Sequence, residues 1–489
     1  MILAFDIGTT VLKGALLSED GEFLSLSSRN MSLRDTLESG FYESDSGEWI
    51  ESFCSVSAEL LSNFDKNRLR AVVISGNGPT LVPVAKDGTF LEPVMSWIDR
   101  RGTKQSEKIG QVQDFVIDPT FYLPKAMWIA DNLPEVYEKT GFFLSCPESM
   151  AFWLTGTAVT ILPGLKFEKY FWSDKLLSDL GLDKNKFPDF VKPGHVTGSI
   201  SKSAAAASGL PEGIPVVSAG PDFVVTLLGT AAVYPGRACD RSGTSEGINL
   251  CTETYVEDPR LMGYGHVVEP LYNVSGIIST SGKALEWIKA QLTPSGTDVS
   301  ADYSVFIDAA ASSPSGADGL LFLPYLAGER APHWDPSARG AFLGLGLHHD
   351  RCDMIRAVLE STGYAMRDVI EVMTENGGRV DEMRITGGPS KSGLWNQIKA
   401  DITGRRLLVP ESTESELLGN LVIALRALGD TDELAASADR IVRIKDVYEP
   451  DAGRHAIYSE YFELYRESYR LLKPLFGPLA AARERTEEE

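Results

Sequence analysis

Residues 1–21, MILAFDIGTTVLKGALLSEDG, place the acidic side chain of Asp6 at the end of an apolar run and follow it with Gly8, Thr9 and Thr10. An unbroken apolar run of this kind is typical of a strand that is covered on both faces. Two interpretations of the turn are open. It is either the polar turn of an ordinary hairpin, or a loop whose amides and hydroxyls bind phosphate while Asp6 holds a magnesium ion.

The segments after this turn predict a β-β-β-α-β order. Residues 11–17 and 22–27 have strand patterns, and residues 49–61 repeat apolar side chains at helical spacing. RAVVISG (residues 70–76) is a further buried strand. Lys13, on the second predicted strand, is close enough in sequence to add one positive charge to the turn.

A similar turn occurs near the middle of the chain, in CDRSGTSEGINLCTE (residues 239–253). Asp240 precedes Gly243 and Thr244 there, much as an aspartate precedes glycine and threonine in the first turn. A repeat with a period of about half the chain predicts two similar domains in tandem. Chance similarity between two short turns rich in glycine and threonine is the alternative.

Length and composition limit the classes of protein. The chain has 489 residues, and a Pro-Gly pair before the second turn predicts a boundary between residues 1–236 and 237–489. Its 46 basic and 68 acidic residues give a net charge of −22, which disfavours nucleic acid as a partner. No run of ~20 apolar residues predicts a membrane span. The 5 scattered cysteines, without a CxxC pair, favour the reducing cytoplasm.

Two further stretches contain residues that suit chemistry. In GIPVVSAGPDFVVTLLG (residues 213–229) a buried strand ends at Asp222, where a helix begins. This carboxylate is either a helix N-cap or a general base that takes a proton from a substrate hydroxyl. Gly387 and Gly388, at the end of MRITGG, permit close approach of a ligand and are equally consistent with strand–helix packing.

Several common kinds of site are excluded by the sequence. The chain has no GxxxxGK[ST] loop and no Rossmann fingerprint. His348, His349 and Asp350 are neighbours, but no further ligand follows at a useful spacing. We therefore interpret them as solvated residues and not as a metal site.

Together these stretches resemble the FGGY family of carbohydrate kinases, in the actin-like ATPase superfamily, and its xylulokinase-like branch in particular. The resemblance covers essentially the whole chain in the family's order. It is carried by the segments DIGTTVLKGALLSEDG, LEPVMSWIDRRG, LPKAMWIADNLPEVY, SGTSEG, STSGKALEWI, GLLFLPYLAGERAPHWDPSARGAFLGL and ITGGPSKSGLWNQIKADITGRRLLVPE.

The resemblance implies an α/β protein of two actin-like (ribonuclease H-like) ATPase domains, with an inter-domain cleft for ATP and a sugar. It implies transfer of the ATP γ-phosphate to a hydroxyl of a small sugar or polyol, with Mg²⁺ as cofactor. Homodimers are common in the family.

The resemblance also implies roles for individual residues. By position, Asp6 would organise magnesium, and Asp222 would be the catalytic base. The residues that would bind the nucleotide are Thr9, Thr10, Lys13, Gly243, Thr244, Gly387, Gly388 and Ser392. Those that would bind the substrate are Asn77, Trp97, Asp99 and Asp222.

The sugar side departs from the family pattern. Where xylulokinases usually have Gln-Met-His-Gly, this chain has Asn77 to Thr80, and Phe223 replaces the Asn or Gln that follows the base. The segment ILPGLKFEKYFW (residues 161–172) has aromatic and basic side chains where relatives have small ones. We therefore expect the phosphate chemistry to be retained, whereas the substrate is open among pentuloses, polyols and related acids.

Two other functions remain as alternatives. The altered residues 77–80 favour a noncatalytic regulatory protein that binds sugar or nucleotide on the same fold, but the retained Asp6, Thr10, Thr244 and Asp222 disfavour it. An actin-like chaperone or filament ATPase would need a peptide-binding extension, and the sequence after the last predicted helix leaves little room for one.

Overall fold

The computed structural model describes residues 1–36, 40–113, 115–293 and 303–487, and these form two compact units. The predicted boundary between residues 236 and 237 lies close to the end of the first segment of unit 1. It does not account for residues 415–441, which return to unit 1 late in the chain. Unit 1 comprises Met1–Gly229, Gly265–Glu269 and Ser415–Ile441, and unit 2 comprises Thr230–Tyr264, Pro270–Glu414 and Val442–Glu489.

Six strands make the main sheet of unit 1: β1 (Ile2–Ile7), β2 (Val11–Leu17), β3 (Phe23–Asn30), β4 (Ala71–Gly76), β5 (His195–Ser199) and β6 (Pro215–Pro221). Their order across the sheet is β5-β6-β4-β1-β2-β3. β1 is antiparallel to β2 and parallel to β4, and β4 is parallel to β6. The carboxyl ends of β1, β4 and β6 therefore meet at one edge of the sheet.

Seven strands make the main sheet of unit 2: β7 (Arg237–Ser242), β8 (Glu246–Thr252), β9 (Met262–Gly265), β10 (Tyr272–Ile278), β11 (Glu382–Gly387), β12 (Arg406–Pro410) and β13 (Ile444–Tyr448). Their order is β9-β10-β8-β7-β11-β12-β13. β7 is antiparallel to β8 and parallel to β11, which is parallel to β12. The central strand of each unit has equivalent neighbours, which confirms the two similar α/β domains predicted from the repeat.

The helices are numbered along the chain. They are α1 (Ser46–Leu60), α2 (Thr103–Val112), α3 (Tyr122–Asn132), α4 (Pro134–Lys139), α5 (Cys146–Thr155), α6 (Asp174–Asp179), α7 (Lys202–Ser208), α8 (Asp222–Gly229), α9 (Gly282–Leu292), α10 (Tyr303–Ala309), α11 (Arg351–Glu375), α12 (Gly393–Thr403), α13 (Ser415–Ala427), α14 (Leu434–Ile441) and α15 (Ala452–Glu487). Short strands pair as Leu33–Asp35 with Tyr42–Ser44, Leu81–Ala85 with Thr140–Ser145, Thr160–Ile161 with Phe190–Val191, and Leu321–Leu323 with Ala341–Leu343. In the described part of the chain, no helix is both long and apolar enough to cross a membrane.

The core of unit 1 explains the apolar run at the start of the chain. All residues of β1 are buried, and the ring of Phe5 lies 4.2 Å from that of Phe53 on α1. Gly14 on β2 provides the necessary space, because a Cβ there would lie 2.6 Å from Val56 and 2.9 Å from Phe5. Since β1 also packs against α13, it is a covered central strand, as predicted.

A close crossing of two helices joins α13 to unit 1. A Cβ on Gly229 of α8 would lie 1.7 Å from the carbonyl oxygen of Ser415, and one on Gly419 of α13 would lie 1.9 Å from that of Val225. Only glycine fits at these two positions, so the backbones of α8 and α13 touch. The first turn of α13 thereby reaches Thr226 of α8.

Candidate active site

The first glycine-threonine turn connects β1 to β2 in unit 1. The amide of Gly8 donates to the carbonyl oxygen of Val11 at 3.0 Å, which closes a tight hairpin turn. Thr9 is half-buried and Thr10 is exposed. The structure therefore has a hairpin turn with hydroxyl groups, and phosphate binding by Thr9, Thr10 and Lys13 stays a prediction.

Asp6 lies on β1 beside this turn and is only 7% exposed. Ser75 Oγ on β4 donates a hydrogen bond to Asp6 Oδ1 at 2.7 Å. Burial raises the pKa of Asp6 to about 8, and the charges of Glu416 and Asp222 act in the same direction. The charge of Lys13, on the neighbouring strand, lowers this pKa but does not outweigh the other effects.

Asp222 and Glu416 thus lie close enough to Asp6 for their charges to repel its carboxylate. Mg²⁺ prefers oxygen ligands, and a cation would offset this repulsion, so the residues fit a magnesium ion. Asp6 and Asp222 are predicted from the sequence, whereas Glu416 is not. In the sequence Glu416 is an ordinary acidic residue in the first turn of a helix, and no motif relates it to residue 6.

Asp222 is the first residue of α8 and directly follows β6. Its Oδ1 accepts a hydrogen bond from the amide of Phe223 at 2.7 Å. Thr226 Oγ1 donates to the carbonyl oxygen of Asp222 at 2.8 Å and contacts Glu416 Oε1 at 3.3 Å. The carboxylate is half-buried at the start of the helix, which is compatible with both of its predicted roles.

The altered run Asn77–Thr80 is connected to the first turn by hydrogen bonds. Trp97 Nε1 donates to Thr9 Oγ1 at 2.9 Å, and Trp97 N donates to Thr80 Oγ1 at 3.1 Å. Thr80 donates to Asn77 Oδ1, and Asn77 Nδ2 donates to the carbonyl oxygen of Ile7 at 2.9 Å. The structure brings Asn77 and Trp97 to the first turn, and their contact with substrate stays a prediction.

Asp99 lies deeper in unit 1, where its side chain is fully buried. Its Oδ2 accepts hydrogen bonds from Arg101 Nε at 2.9 Å, Arg101 Nη2 at 2.8 Å and Tyr42 N at 2.8 Å. The rings of Phe41 and Trp128 lie 4.2 and 5.0 Å from the Arg101 guanidinium. These contacts give Asp99 a structural role, and its contact with substrate stays a prediction.

The aromatic segment at residues 161–172 packs against Phe223, the residue that follows Asp222. The rings of Phe167 and Phe223 stack with centroids 5.9 Å apart and planes 23° apart. Tyr170 stacks on Phe121 with centroids 5.3 Å apart and planes 21° apart. Two departures from the family pattern, the aromatic segment and Phe223, therefore lie together in unit 1.

The second glycine-threonine turn connects β7 to β8 in unit 2. The amide of Gly243 donates to the carbonyl oxygen of Ser245 at 2.9 Å, and Thr244 is exposed. The amides of Ser281 and Lys283, at the start of α9, donate to the carbonyl oxygen of Thr244 at 3.1 and 3.2 Å. Main-chain contacts therefore hold this turn, and its binding of phosphate stays a prediction.

A buried lysine neutralises the acidic side chains of the second hairpin. Lys399 Nζ on α12 donates to Asp240 Oδ2, Ser242 Oγ and Glu246 Oε1, each at 2.9 Å. Lys399, Asp240 and Glu246 are all fully buried. Burial of these charges is tolerated because each hydrogen of the ammonium group has an acceptor.

Gly387, Gly388 and Ser392 lie where β11 leads into α12. Gly387 has a φ of +91°, and a Cβ there would lie 1.9 Å from the carbonyl oxygen of Ser242, so strand packing alone requires glycine. A Cβ on Gly388 would meet no described heavy atom within 4 Å. Ser392 caps α12 by accepting from Trp395 N at 3.3 Å. The space beside Gly388 is compatible with a bound nucleotide, which stays a prediction.

A small cluster of potential metal ligands lies elsewhere in unit 2. Asp318 joins His348 and His349, with ligand atoms within 4.8 Å of one another, whereas Asp350 caps α11. The sequence did not indicate Asp318, which is distant along the chain. His349 Nδ1 accepts from Gly346 N at 2.8 Å, and its Nε2 lies 3.1 Å from the Asp318 carbonyl oxygen. Because backbone groups occupy both nitrogens of His349, we do not interpret this cluster as a metal site.

Comparison with known proteins identifies the family. Residues 1–229 match the N-terminal domain of the FGGY family of carbohydrate kinases, and residues 241–428 match its C-terminal domain. The chain is 27% identical to a xylulose kinase of Staphylococcus epidermidis, with 98% of both chains covered. It is also 27% identical to a gluconokinase of Bacillus subtilis, with 90% of both covered.

A solved structure shows the same relationship. The ligand-bound xylulose kinase from Lactobacillus acidophilus superposes with a TM-score of 0.88 at 25% identity, covering 98% of this chain and 99% of that one. These matches confirm the resemblance found in the sequence and the α/β fold of two domains. They also confirm the enzyme class, an ATP-dependent sugar kinase. The chain belongs to the FGGY family of carbohydrate kinases.

Proposed function

We propose that this kinase transfers the γ-phosphate of ATP to a hydroxyl of a small ketose, polyol or sugar acid, with Mg²⁺ as cofactor. The observation that carries the proposal is the group of three carboxyl groups in unit 1. Asp6 stands near the end of β1, Asp222 follows β6, and Glu416 lies in the first turn of α13.

In this proposal Asp222 is the catalytic base. It takes the proton of the substrate hydroxyl while that oxygen attacks the γ-phosphorus and the bond to the ADP oxygen breaks. The hydrogen bond from Phe223 N fixes one carboxylate oxygen during this step. Asp6 and Glu416 would hold Mg²⁺, which when bound neutralises charge on the phosphates.

The remaining assignments follow the family pattern. Trp97 would orient the hydroxyl of Thr9, to which it donates a hydrogen bond, and would contact the substrate together with Asn77. The residues assigned to the nucleotide are Thr9, Thr10, Lys13, Gly243, Thr244, Gly387, Gly388 and Ser392.

Xylulose and gluconate are the first substrates to test, because relatives are a xylulose kinase and a gluconokinase. The stacked rings of Phe167 and Phe223 favour a substrate that presents a C–H face beside the reacting hydroxyl. An ADP-coupled assay over ketoses, polyols and sugar acids, with Asp222→Asn as control, tests the proposal. Turnover of one substrate by the wild type and its loss in the variant are expected.

The second candidate is a regulatory protein that binds sugar or nucleotide without turnover. The departures at residues 77–80 and 161–172 favour it. It would be supported if the wild type released no ADP with any compound of the panel but bound ATP or a sugar in calorimetry.

The proposal also includes a homodimer and a cytoplasmic location. The latter is supported by the state of the cysteines, all of which are free thiols. Analytical ultracentrifugation tests the homodimer, and fractionation of cells that express the chain tests the cytoplasmic location.

A further inference from the structure

We propose that Asn420 is a positioning residue that fixes the carboxylate of Asp6 through the hydroxyl of Ser75. This inference rests on the proposed role of Asp6 as a magnesium ligand. The three side chains form a chain of hydrogen bonds from α13 through β4 to β1. Asn420 and Ser75 are fully buried.

The direction of each hydrogen bond follows from the chemistry of the groups. The carbonyl oxygen of Phe5 only accepts, so the Asn420 atom that lies 2.8 Å from it is Nδ2. The other hydrogen of Nδ2 points to Ser75 Oγ at 2.9 Å. Ser75 Oγ therefore accepts from Asn420 and gives its own hydrogen to Asp6 Oδ1 at 2.7 Å.

This direction of donation leaves one oxygen of Asp6 for a cation. Within the described residues, Asp6 Oδ2 has no hydrogen-bond partner, whereas Oδ1 accepts from Ser75. Asn420 Oδ1 is also buried without a partner in the described structure. A buried acceptor of this kind is unfavourable, so its presence indicates that the two donated hydrogen bonds determine where the amide lies.

The helix α13 thus acts on Asp6 in two ways. Glu416 and Asn420 are four residues apart and share one face of the helix. Glu416 contributes negative charge near Asp6, and Asn420 contributes orientation through Ser75. The close packing of Gly419 against α8 sets the position of both.

Direct binding of Mn²⁺ to the full chain, followed by electron paramagnetic resonance without nucleotide, tests the proposal. Asn420→Leu and Ser75→Ala are each expected to weaken Mn²⁺ binding by about tenfold, the usual lower limit for partners of metal ligands. Because Asn420 acts through Ser75, the double variant should bind Mn²⁺ no more weakly than Ser75→Ala alone.

Asn273→Leu is the matched control. Asn273 is a fully buried asparagine of unit 2 that donates to Asn249 at 3.1 Å and also has an unpaired Oδ1 among the described residues. This variant should lower the Tm and leave Mn²⁺ binding unchanged.

Three outcomes separate the possibilities. If Asn420→Leu and Ser75→Ala lower the Tm but bind Mn²⁺ like the wild type, the positioning role is wrong. Additive losses in the double variant would contradict it as well. If Asp6→Asn itself retains wild-type Mn²⁺ binding, the proposed function of Asp6 is wrong, and not merely its positioning.

Discussion

Asp6 and Asp240 stand at corresponding places in the two units, but only Asp240 accepts a hydrogen bond from a buried lysine. Each lies near the end of a central strand that leads into a glycine-threonine turn. Burial raises the pKa of both carboxyl groups, to about 8 for Asp6 and to about 7 for Asp240. The charge of Lys399, which donates to Asp240 at 2.9 Å, opposes this effect at Asp240, whereas the charges of Glu416 and Asp222 add to it at Asp6. In unit 2, the carboxylate of Asp240 is thus paired with a lysine inside the core. In unit 1, Asp6 lies near the carboxylates of Asp222 and Glu416, and this arrangement lowers stability. Such destabilising groups are typical of functional sites.

The largest expected effect is on catalysis in unit 1. Asp222→Ala should lower kcat by about 10²–10⁴-fold, because the substrate hydroxyl loses its base. ATP binding, measured by calorimetry, should persist. If Asp240→Ala, assayed where it is folded, lowers kcat as much as Asp222→Ala does, the contrast between the units is wrong.

The next effect is on the stability of unit 2. Lys399→Met should lower the free energy of unfolding by about 3–5 kcal/mol, because it leaves Asp240 and Glu246 as buried charges without a partner. Urea denaturation measures this loss. Lys391→Met, at an exposed lysine nearby in the sequence, should change stability by no more than about 0.5 kcal/mol. A loss of less than about 1 kcal/mol in Lys399→Met would show that the hydrogen bonds of Lys399 contribute little to the stability of unit 2.

Substitution of Asp6 is expected to raise the stability of the protein, by less than the Lys399→Met substitution lowers it. Since the pKa of Asp6 is about 8 in the folded protein and near 4 when unfolded, the folded state binds the proton more tightly. Metal-free protein should therefore lose stability as the pH rises from about 4 to 8. Asp6→Asn removes this loss, and its Tm at pH 8 in EDTA should exceed that of the wild type by about 2 °C or more.

Thermal scans from pH 4 to pH 9 check the sign of this effect. At pH 4 the wild type and Asp6→Asn should have similar Tm values, because Asp6 is then protonated in the folded state. A lower Tm of the variant at pH 8 would mean that Asp6 is held as a stable anion.

The smallest effect concerns how the two turns are held. Trp97→Phe removes the hydrogen bond to Thr9 and should lower stability by about 1 kcal/mol and raise the KM for ATP. The turn of unit 2 is held by main-chain amides, which no side-chain substitution removes. Trp334→Phe removes a similar bond, to the carbonyl oxygen of Arg260 at 3.0 Å, and should leave the KM unchanged. Equal KM values in both variants would mean that Trp97 does not order the first turn.

The sequence predicted the local features of the site well. The covered strand β1, the polar turn after it, the repeat at residues 239–253 and the strand end at Asp222 all have signals within a few residues. Such signals are readable because strand burial and turn chemistry depend on neighbours along the chain.

The features that depend on distant packing were not predicted. Glu416 and Asn420 reach Asp6 only because α13 crosses α8 at two glycines. Lys399 has the pattern of an ordinary helical lysine, and only the folded structure brings its ammonium group to Asp240 and Ser242 of β7. The family pattern placed Asp99 at the substrate, whereas its buried ion pair with Arg101 could not be seen from spacing alone.

The contact between Gly229 and Gly419 has a consequence for how the chain is made. Unit 1 is complete only when Ser415–Ile441 has left the ribosome, long after its first strands have emerged. Until then the nascent N-terminal segment lacks the helix that covers β1, β4 and β6, and it exposes their apolar side chains. A truncated product that ends before α13 should therefore aggregate or recruit chaperones, even though it contains every strand of its own sheet.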